Sequence, residues 1–333
     1  MNEYDDQWLR DGLAAAVPTP PEAADRAQRA TVKARRARQV RVAGVLGVAA
    51  VVVGAAVAWT VSSGDDSDRA ADGTKAVSVT CPEVPAEMPY PEKATGKAGE
   101  GVPDGATTAR LCQGQGTKFD VPLDALVVGI EDLIATANGL DAYPEWGPNS
   151  ACNLDFGTGY QIVFGYPDGS TTAVTGELYG CRAVTIGGDD VRSDPETLWA
   201  RYSSLLREQR DALDPPASTP AADLSCGGPQ VSPAGRAADM TEAVYCFEGE
   251  GVAIPIPAKD VAVLVADMQT SGPIGVTRAC FTPGRIVGQT AWGDTVQTSA
   301  LCGGDRWAME DDLAWSVSPA SKAILDRLAT EAR

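Results

Sequence analysis

Val42–Val61 reads VAGVLGVAAVVVGAAVAWTV, a run of 20 residues without a charged side chain. At about 1.5 Å of rise per residue, a helix of this length spans the roughly 30 Å hydrocarbon core of a bilayer. The run separates a tail, residues 1–41, from everything that begins at residue 62. We therefore expect a single transmembrane helix over 42–61 in an integral membrane protein.

The charges beside this run predict its orientation. Lys and Arg crowd the preceding flank, at Arg26, Arg29, Lys33, Arg35, Arg36, Arg38 and Arg41. Acidic residues follow the run, at Asp65, Asp66 and Asp68. Because Lys and Arg are in excess on cytoplasmic flanks, we expect a cytoplasmic N-terminus and an extracytoplasmic C-terminal region. The alternative is a signal peptide cleaved after Ala56-Val57-Ala58, but its charged region and its apolar run would both exceed the usual lengths.

Small residues recur on one face of the expected helix, at Ala43, Gly47, Ala50, Gly54 and Ala58. Such a stripe lets two membrane helices approach closely, so it predicts a homodimer through the span. The alternative is chance, because the whole chain is rich in alanine and glycine.

The net charge restricts the partners of the region outside the membrane. The chain carries −18, and its first 41 residues carry eight basic and six acidic side chains, so the remainder carries −20. A surface this acidic argues against binding to nucleic acid and to anionic membrane surfaces.

Eight cysteines all follow the expected span: Cys81, Cys112, Cys152, Cys181, Cys226, Cys246, Cys280 and Cys302. An even number of cysteines in an oxidising compartment indicates a disulfide framework. Metal binding is the alternative, but the chain has no histidine and no C-x-x-C spacing.

The cysteines form two sets of four with similar surroundings. Cys112 is followed by glycines, Val121-Pro122-Leu123 and an apolar helix, and Cys246 is followed by glycines, Ile254-Pro255-Ile256 and another apolar helix. A fixed order of features at a similar period indicates duplication. The expected pairing is therefore local: Cys81–Cys112, Cys152–Cys181, Cys226–Cys246 and Cys280–Cys302.

The resulting prediction is an α+β protein with one transmembrane helix and two tandem disulfide-stapled β-β-α-β-β-α repeats. Its first strand is expected at 76–80, and its first helix is expected to start near Leu126 with Asp124 as N-cap. Closing helices are expected to start at Pro195 and Pro319. The expected segments are a tail (1–41), a transmembrane helix (42–61), a stalk (62–75), a first repeat (76–213), a linker (214–223) and a second repeat (224–333).

The sequence offers little catalytic chemistry. Without histidine, the chain lacks the commonest general base, the serine and cysteine triads and the usual zinc sites. It contains no phosphate-binding loop and no dinucleotide fingerprint, so we expect no cofactor. An acidic turn at 187–190 is a weak candidate for calcium. Asp and Glu carboxylates leave open an enzyme of the cell envelope, and a purely structural envelope protein is a further alternative.

One loop of the first repeat is the best candidate for recognition. Tyr143 and Trp146 lie in a proline- and glycine-containing segment before Cys152. Exposed aromatic side chains in such loops often anchor a partner. The alternative is that both rings pack back onto their own domain.

The tail carries the only resemblance to a known group of proteins. Residues 9–27, LRDGLAAAVPTPPEAADRA, and residues 33–41, KARRARQVR, followed by the single apolar run, resemble actinobacterial membrane proteins that accompany extracytoplasmic-function sigma factors. The resemblance implies a membrane-anchored regulator with a cytoplasmic partner, contacted through Trp8, Leu9 and Leu13. The chain differs from the zinc anti-sigma pattern, since it has no histidine and no cysteine before Cys81. The sequence thus predicts a membrane-anchored extracytoplasmic binding or sensing protein with an unknown ligand.

Overall fold

A computed structural model describes residues 77–84, 96–145, 151–153, 157–220, 224–227, 230–247, 253–273, 284–301 and 305–332. The predicted tail, transmembrane helix and stalk lie outside these residues. No helix in the described ranges combines the length and the apolar character that crossing a membrane requires. Over the described residues the fold is α+β, with two antiparallel sheets and four α-helices. We call the described residues from 77 to 213 the first half and those from 224 to 332 the second half.

The first half contains one five-stranded sheet in the order β1-β2-β3-β4-β5. Its elements, in chain order, are β1 (Thr108–Gln113), α1 (Ile130–Gly139), β2 (Gly159–Gly165), β3 (Thr171–Glu177), β4 (Ala183–Ile186), β5 (Asp190–Ser193) and α2 (Pro195–Asp211).

The second half contains a seven-stranded sheet in the order β7-β6-β9-β10-β11-β12-β8. After a 3-10 helix at Ala237–Asp239, its elements are β6 (Met240–Cys246), β7 (Ile254–Pro255), α3 (Ala258–Met268), β8 (Gly272–Pro273), β9 (Arg285–Thr290), β10 (Thr295–Ala300), β11 (Arg306–Ala308), β12 (Leu313–Ser316) and α4 (Pro319–Glu331).

The two sheets share a strand order. The five strands β6-β9-β10-β11-β12 follow the same antiparallel path as β1-β2-β3-β4-β5, with one helix after the first strand and one after the last. Where β7 and β8 flank the second sheet, the first half has single bridges instead, Ala109 to Leu126 and Ala142 to Arg192.

Alternate residues of a strand point to opposite faces of its sheet. In both halves the helices cover one of these faces. Ile162 belongs to the core that includes residues of α1 and α2, and Ile286 to the core that includes residues of α3 and α4. On the opposite faces Val163 packs with Val79 and Cys112, and Val287 packs with Cys226 and Cys246.

Three disulfides staple these layers: Cys81–Cys112, Cys152–Cys181 and Cys226–Cys246. They are three of the four expected pairs, and each lies within one half. Cys280 and Cys302 lie outside the described residues.

The order of elements differs from the predicted β-β-α-β-β-α. Residues 77–80 form no strand; Val79 lies against the outer face of the sheet, where the neighbouring disulfide holds the segment. The prediction also lacked the β4–β5 hairpin. The observed order in the first half is therefore β-α-β-β-β-β-α.

Helix α1 starts at Ile130, so the expected start near Leu126 is wrong and Asp124 is not its N-cap. Leu126 exchanges two backbone hydrogen bonds with Ala109, which keeps this segment extended. Gly129 then turns the chain at φ 75°, a left-handed conformation that glycine adopts without steric cost. The helices that begin at Pro195 and Pro319 confirm the predicted starts.

Candidate functional site

A cluster of ion pairs with a buried centre lies where the two halves meet, a region we call the seam. The first half contributes the last turns of α2, with Arg207, Arg210 and Asp211. The second half contributes the strip of residues 230–239 and the loop between β9 and β10. Backbone hydrogen bonds also cross the seam, from the Asp120 amide to the Val231 carbonyl oxygen. Ala234 adds an apolar contact with the core of the first half.

Arg210 is the centre of the seam. Its guanidinium donates to both carboxylate oxygens of Asp124, with Nε 3.0 Å from Oδ2, and to Asp294 across the seam, with Nη2 3.3 Å from Oδ1. The side chains of Arg210 and Asp294 are only 5% and 1% exposed. Burial alone would lower the pKa of Arg210, but the hydrogen bonds and charges of Asp124 and Asp294 raise it above its ordinary value. The guanidinium therefore stays charged and fixed in place.

A tight hairpin loop delivers Asp294 to this position. The Thr290 amide donates to the Asp294 carbonyl oxygen at 3.0 Å, and the Gly293 amide donates to that of Thr290 at 3.0 Å. Gly293 has φ 86°, and a Cβ on it would lie 2.7 Å from Leu123 Cδ1 of the first half. The indole of Trp292 lies 5.2 Å from the Arg210 guanidinium carbon, within the range of a cation–π contact. The Ser232 hydroxyl also donates to Asp294, with Oγ 2.7 Å from Oδ1.

The first half has the same turn at the corresponding position, between β2 and β3. The Tyr166 amide donates to the Ser170 carbonyl oxygen, and the Gly169 amide donates to that of Tyr166, with Gly169 at φ 85°. This turn is largely exposed, and Ser170, at the position of Asp294, binds Asp168 of the same turn rather than an arginine. One loop geometry thus occurs once in solvent and once docked into the seam.

Two further arginines extend the seam. Arg236 donates to both carboxylate oxygens of Asp211, at 2.8 and 3.0 Å. Arg207 pairs with Asp311 and donates to the Pro233 carbonyl oxygen at 2.7 Å. Together these side chains line an open cleft of about 290 Å³, counting its mouth, bordered by Arg207, Arg210, Asp211, Ala234, Gly235, Arg236, Asp239, Thr290, Trp292 and Asp294.

Two carboxylates near the cleft have no arginine within hydrogen-bonding distance. Asp239 lies 3.8 Å from Arg236, which Asp211 already binds with both oxygens. Glu310 accepts the Ala237 amide at 3.1 Å. Partial burial raises the pKa of Glu310. Asp239 is 46% exposed, and the part of it that is removed from water raises its pKa despite the opposing charge of Arg236. The hydrogen bonds from Arg236 lower the pKa of Asp211. The cleft therefore contains carboxyl groups with opposite tendencies to hold a proton.

Of the predicted recognition residues, Tyr143 is described and Trp146 is not. The Tyr143 hydroxyl donates to the Cys181 carbonyl oxygen at 2.8 Å, and its amide donates to Val191. Tyr143 is therefore tied to its own half, and it is not among the residues that line the cleft. The tail residues Trp8, Leu9 and Leu13 also lie outside the described ranges.

The acidic segment at 187–190, for which the sequence favours a turn over a calcium site, is a turn that leads into β5. Asp190 begins β5 and binds Arg192, which donates in turn to carbonyl oxygens at the end of α1. Asp190 also accepts the amides of Gly99 and Gly101. Within the described ranges, no group of three or more metal-ligating side chains is placed to hold a metal ion.

Sequence reasoning missed the seam. Its ion pairs join residues far apart in the chain, such as Arg210 and Asp294 at a separation of 84. Comparison with protein-family models, curated proteins and solved structures found no match for the chain.

Proposed function

We propose that the chain is a single-pass membrane protein whose extracytoplasmic region binds a ligand or senses a condition and relays this to a cytoplasmic partner. The observation that carries this proposal is that one kind of contact stabilises each half and another kind joins the two halves. The described disulfides staple each half internally, while ion pairs around Arg210 join the halves. Polar contacts between domains commonly permit relative motion, so the seam is the place where a signal can act.

The common strand order and the repeated hairpin turn support an origin of the two halves by duplication. Duplicated units with separate sheets that meet at a seam of several ion pairs can act as a clamp on a ligand. We propose two tandem repeats, 76–213 and 224–333, joined by a linker at 214–223.

The disulfides support an oxidising compartment, and the apolar run at 42–61 supports an anchor in the membrane. The test is thiol labelling of intact cells that carry Ser67→Cys or Thr31→Cys. We expect labelling at 67 and protection at 31. Labelling at 31 alone would reverse the orientation, and a mature protein that begins near Trp59 would show a cleaved signal peptide.

The relay is tested on the tail. Helices as short as the segment around Trp8 and Leu13 are marginal in water, so we expect residues 1–20 to become ordered only on a partner. Deletion of residues 2–20 should abolish the cellular response while leaving membrane insertion intact. An unchanged transcriptional output would reduce the tail to a membrane-positioning segment.

The cleft also favours a second candidate, an envelope enzyme. Asp239 and Asp211 line one cleft and have pKa values shifted in opposite directions, as a general acid and its partner require. Turnover of envelope material by the full chain, lost in both Asp239→Asn and Asp211→Asn, would establish the enzyme.

A further inference from the structure

We propose that the disulfide Cys81–Cys112 is a reducible latch, which holds residues 77–81 against the outer face of the first sheet and releases them when a dithiol reduces it. We call residues 77–81 the arm. The inference rests on the proposed sensing function and names reducing thiols, in an otherwise oxidising compartment, as the condition sensed.

The arm has few contacts besides this disulfide. Val79 is 4% exposed and packs with Cys112 and Val163, whereas both of its neighbours in the chain and Cys81 are exposed. A Cβ on Gly165 would lie 2.5 Å from Val79 Cγ2, so the valine occupies the space that this glycine leaves free. Within the described residues, the arm forms no hydrogen bond with the sheet. A single buried valine is therefore its main noncovalent anchor.

One buried valine does not keep the whole arm in place. The free energy gained by burying a valine side chain offsets the conformational entropy lost by roughly one or two ordered residues. The disulfide holds the arm because it keeps Cys81 beside Cys112 whatever the balance of these terms. Without the bridge, we expect the arm to be detached for most of the time.

A buried polar group beneath the arm also favours detachment. Thr108 lies on the same face of β1 as Cys112, because the two residues are an even number of positions apart. Its cross-strand partner is Gly165, where Val79 packs. The side chain of Thr108 is fully buried, and its hydroxyl has no hydrogen-bond partner among the described residues. Such a hydroxyl is costly, and water can reach it once the arm has left.

The corresponding bridge of the second half, Cys226–Cys246, is shielded. Its two cysteines are 4% and 2% exposed, whereas Cys81 is exposed. The segment that carries Cys226 is also held by a side chain of β9, since Arg285 donates to the Cys226 carbonyl oxygen. A dissolved reductant therefore reaches the first bridge more readily than the second, and only the first bridge decides whether its segment stays attached.

The latch opens by thiol–disulfide exchange. A thiolate of the dithiol attacks the Cys81 sulfur, the bond between the two protein sulfurs breaks, and the Cys112 sulfur leaves as a thiolate that takes up a proton. The second thiol of the reductant then displaces the Cys81 sulfur from the mixed disulfide. The protein ends with two thiols and the reductant with one disulfide.

Opening the latch changes how the first half is attached to the chain that precedes it. The arm is the first part of the chain that the structure describes. The next described amides that bind the first half are those of Gly99 and Gly101, which donate to Asp190. Reduction therefore moves the first point of attachment along the chain, away from the predicted membrane helix. A membrane-anchored sensor can transmit such a change.

The experiment treats the full-length chain in lipid nanodiscs with dithiothreitol. Alkylation after denaturation reports which bridge has been reduced, and alkylation of the folded chain reports which thiol is exposed. We expect Cys81–Cys112 to be reduced at least about tenfold faster than Cys226–Cys246. In the folded chain, Cys112 should then be alkylated at a rate similar to that of Cys81, because the arm no longer covers it.

Equal rates of reduction for the two bridges would overturn the proposal. So would a Cys112 thiol that stays protected in the folded chain after the bridge has been reduced, since the arm would then remain in place without its disulfide.

Two variants in cells connect the latch with the output. Cys81→Ser/Cys112→Ser should give, without reductant, the transcriptional output that dithiothreitol produces in the wild type. The matched control Cys152→Ser/Cys181→Ser removes a half-buried bridge and keeps the latch, so it should respond like the wild type. Failure of the sensing function looks different. The latch would open in nanodiscs as described, while the output of all three chains would be equal with and without reductant.

Discussion

Arg210 in the last turn of α2 and Asp294 in the β9–β10 loop form an ion pair whose side chains are 5% and 1% exposed. The pair joins two halves that each have their own sheet, helices and core. Removal of charges from water is costly, and the cost is repaid here by several hydrogen bonds to Asp124, Asp294 and Ser232. The contact is therefore strong when complete and costly when one partner is missing.

Arg210→Met is expected to reduce the free energy of unfolding by about 3–5 kcal/mol, because two buried carboxylates lose their counter-charge. Denaturant titration measures the effect. The matched control is Arg201→Met, whose pair with Asp132 is largely exposed and should contribute at most about 1 kcal/mol. In a double-mutant cycle with Asp294→Asn, additive effects would show that Arg210 and Asp294 are not coupled.

Gln209 holds the extended segment before α1. Its Oε1 accepts the amides of Val127 and Val128, and its Nε2 donates to the Ala125 carbonyl oxygen. Gln209→Leu should lower stability by about 1–3 kcal/mol because these backbone groups lose their partners. Gln209→Glu keeps the acceptor and loses the donor, so it should cost less than the leucine variant in the same titration. An equal loss in both would assign the effect to packing.

Acid should weaken the first half at the buried pair of Asp190 and Arg192. Burial would raise the pKa of Asp190, but hydrogen bonds from Arg192 and two glycine amides lower it. A lowered pKa gives stability that is present above the unfolded value and is lost as the pH falls through the folded one. Asp190→Asn should therefore be less stable than wild type near neutral pH, and the difference should shrink below about pH 4. A difference independent of pH would contradict this sign.

Peptide mapping without reduction should recover Cys81–Cys112, Cys152–Cys181 and Cys226–Cys246, and we expect Cys280–Cys302 as the fourth bridge. A disulfide between the halves would contradict the conclusion that each bridge lies within one half. Removal of Cys226–Cys246, which closes a loop with a sequence separation of 20, should cost about 3 kcal/mol in the chain-entropy description. Cys226→Ala/Cys246→Ala tests this by denaturant titration.

The sequence predicted the elements that local patterns specify. The apolar helix expected after Ile254-Pro255-Ile256 is α3, which buries Val261, Leu264 and Met268. Prolines predicted the starts of α2 and α4. The matched cysteine sets predicted the local disulfides. Each of these signals depends on neighbouring residues or on a comparison within the chain.

What the patterns missed depends on contacts between distant residues. Strands β4 and β5 have four residues each, too short for a clear alternation, so the sequence indicates only the acidic turn that joins them. Leu126 fitted a helical stripe, but its pairing with Ala109 decided its conformation. In the sequence Arg210 resembles any basic residue near a helix end. Its ion pair with Asp294 exists only because the loop between β9 and β10 packs against α2.

Hydrogen exchange of the full-length chain, wild type against Arg210→Met, tests most directly whether two stable halves meet at a separable seam. We expect faster exchange in residues 230–239 and 290–295. There the Ser232 amide donates to the Thr295 carbonyl oxygen, and the Thr295 amide donates to the Asp120 carboxylate of the first half. Apart from Thr290 and Thr295 at the ends of β9 and β10, the strands of both sheets should keep their protection. Loss of protection throughout both sheets at once would mean that the halves unfold as one unit and would contradict the account.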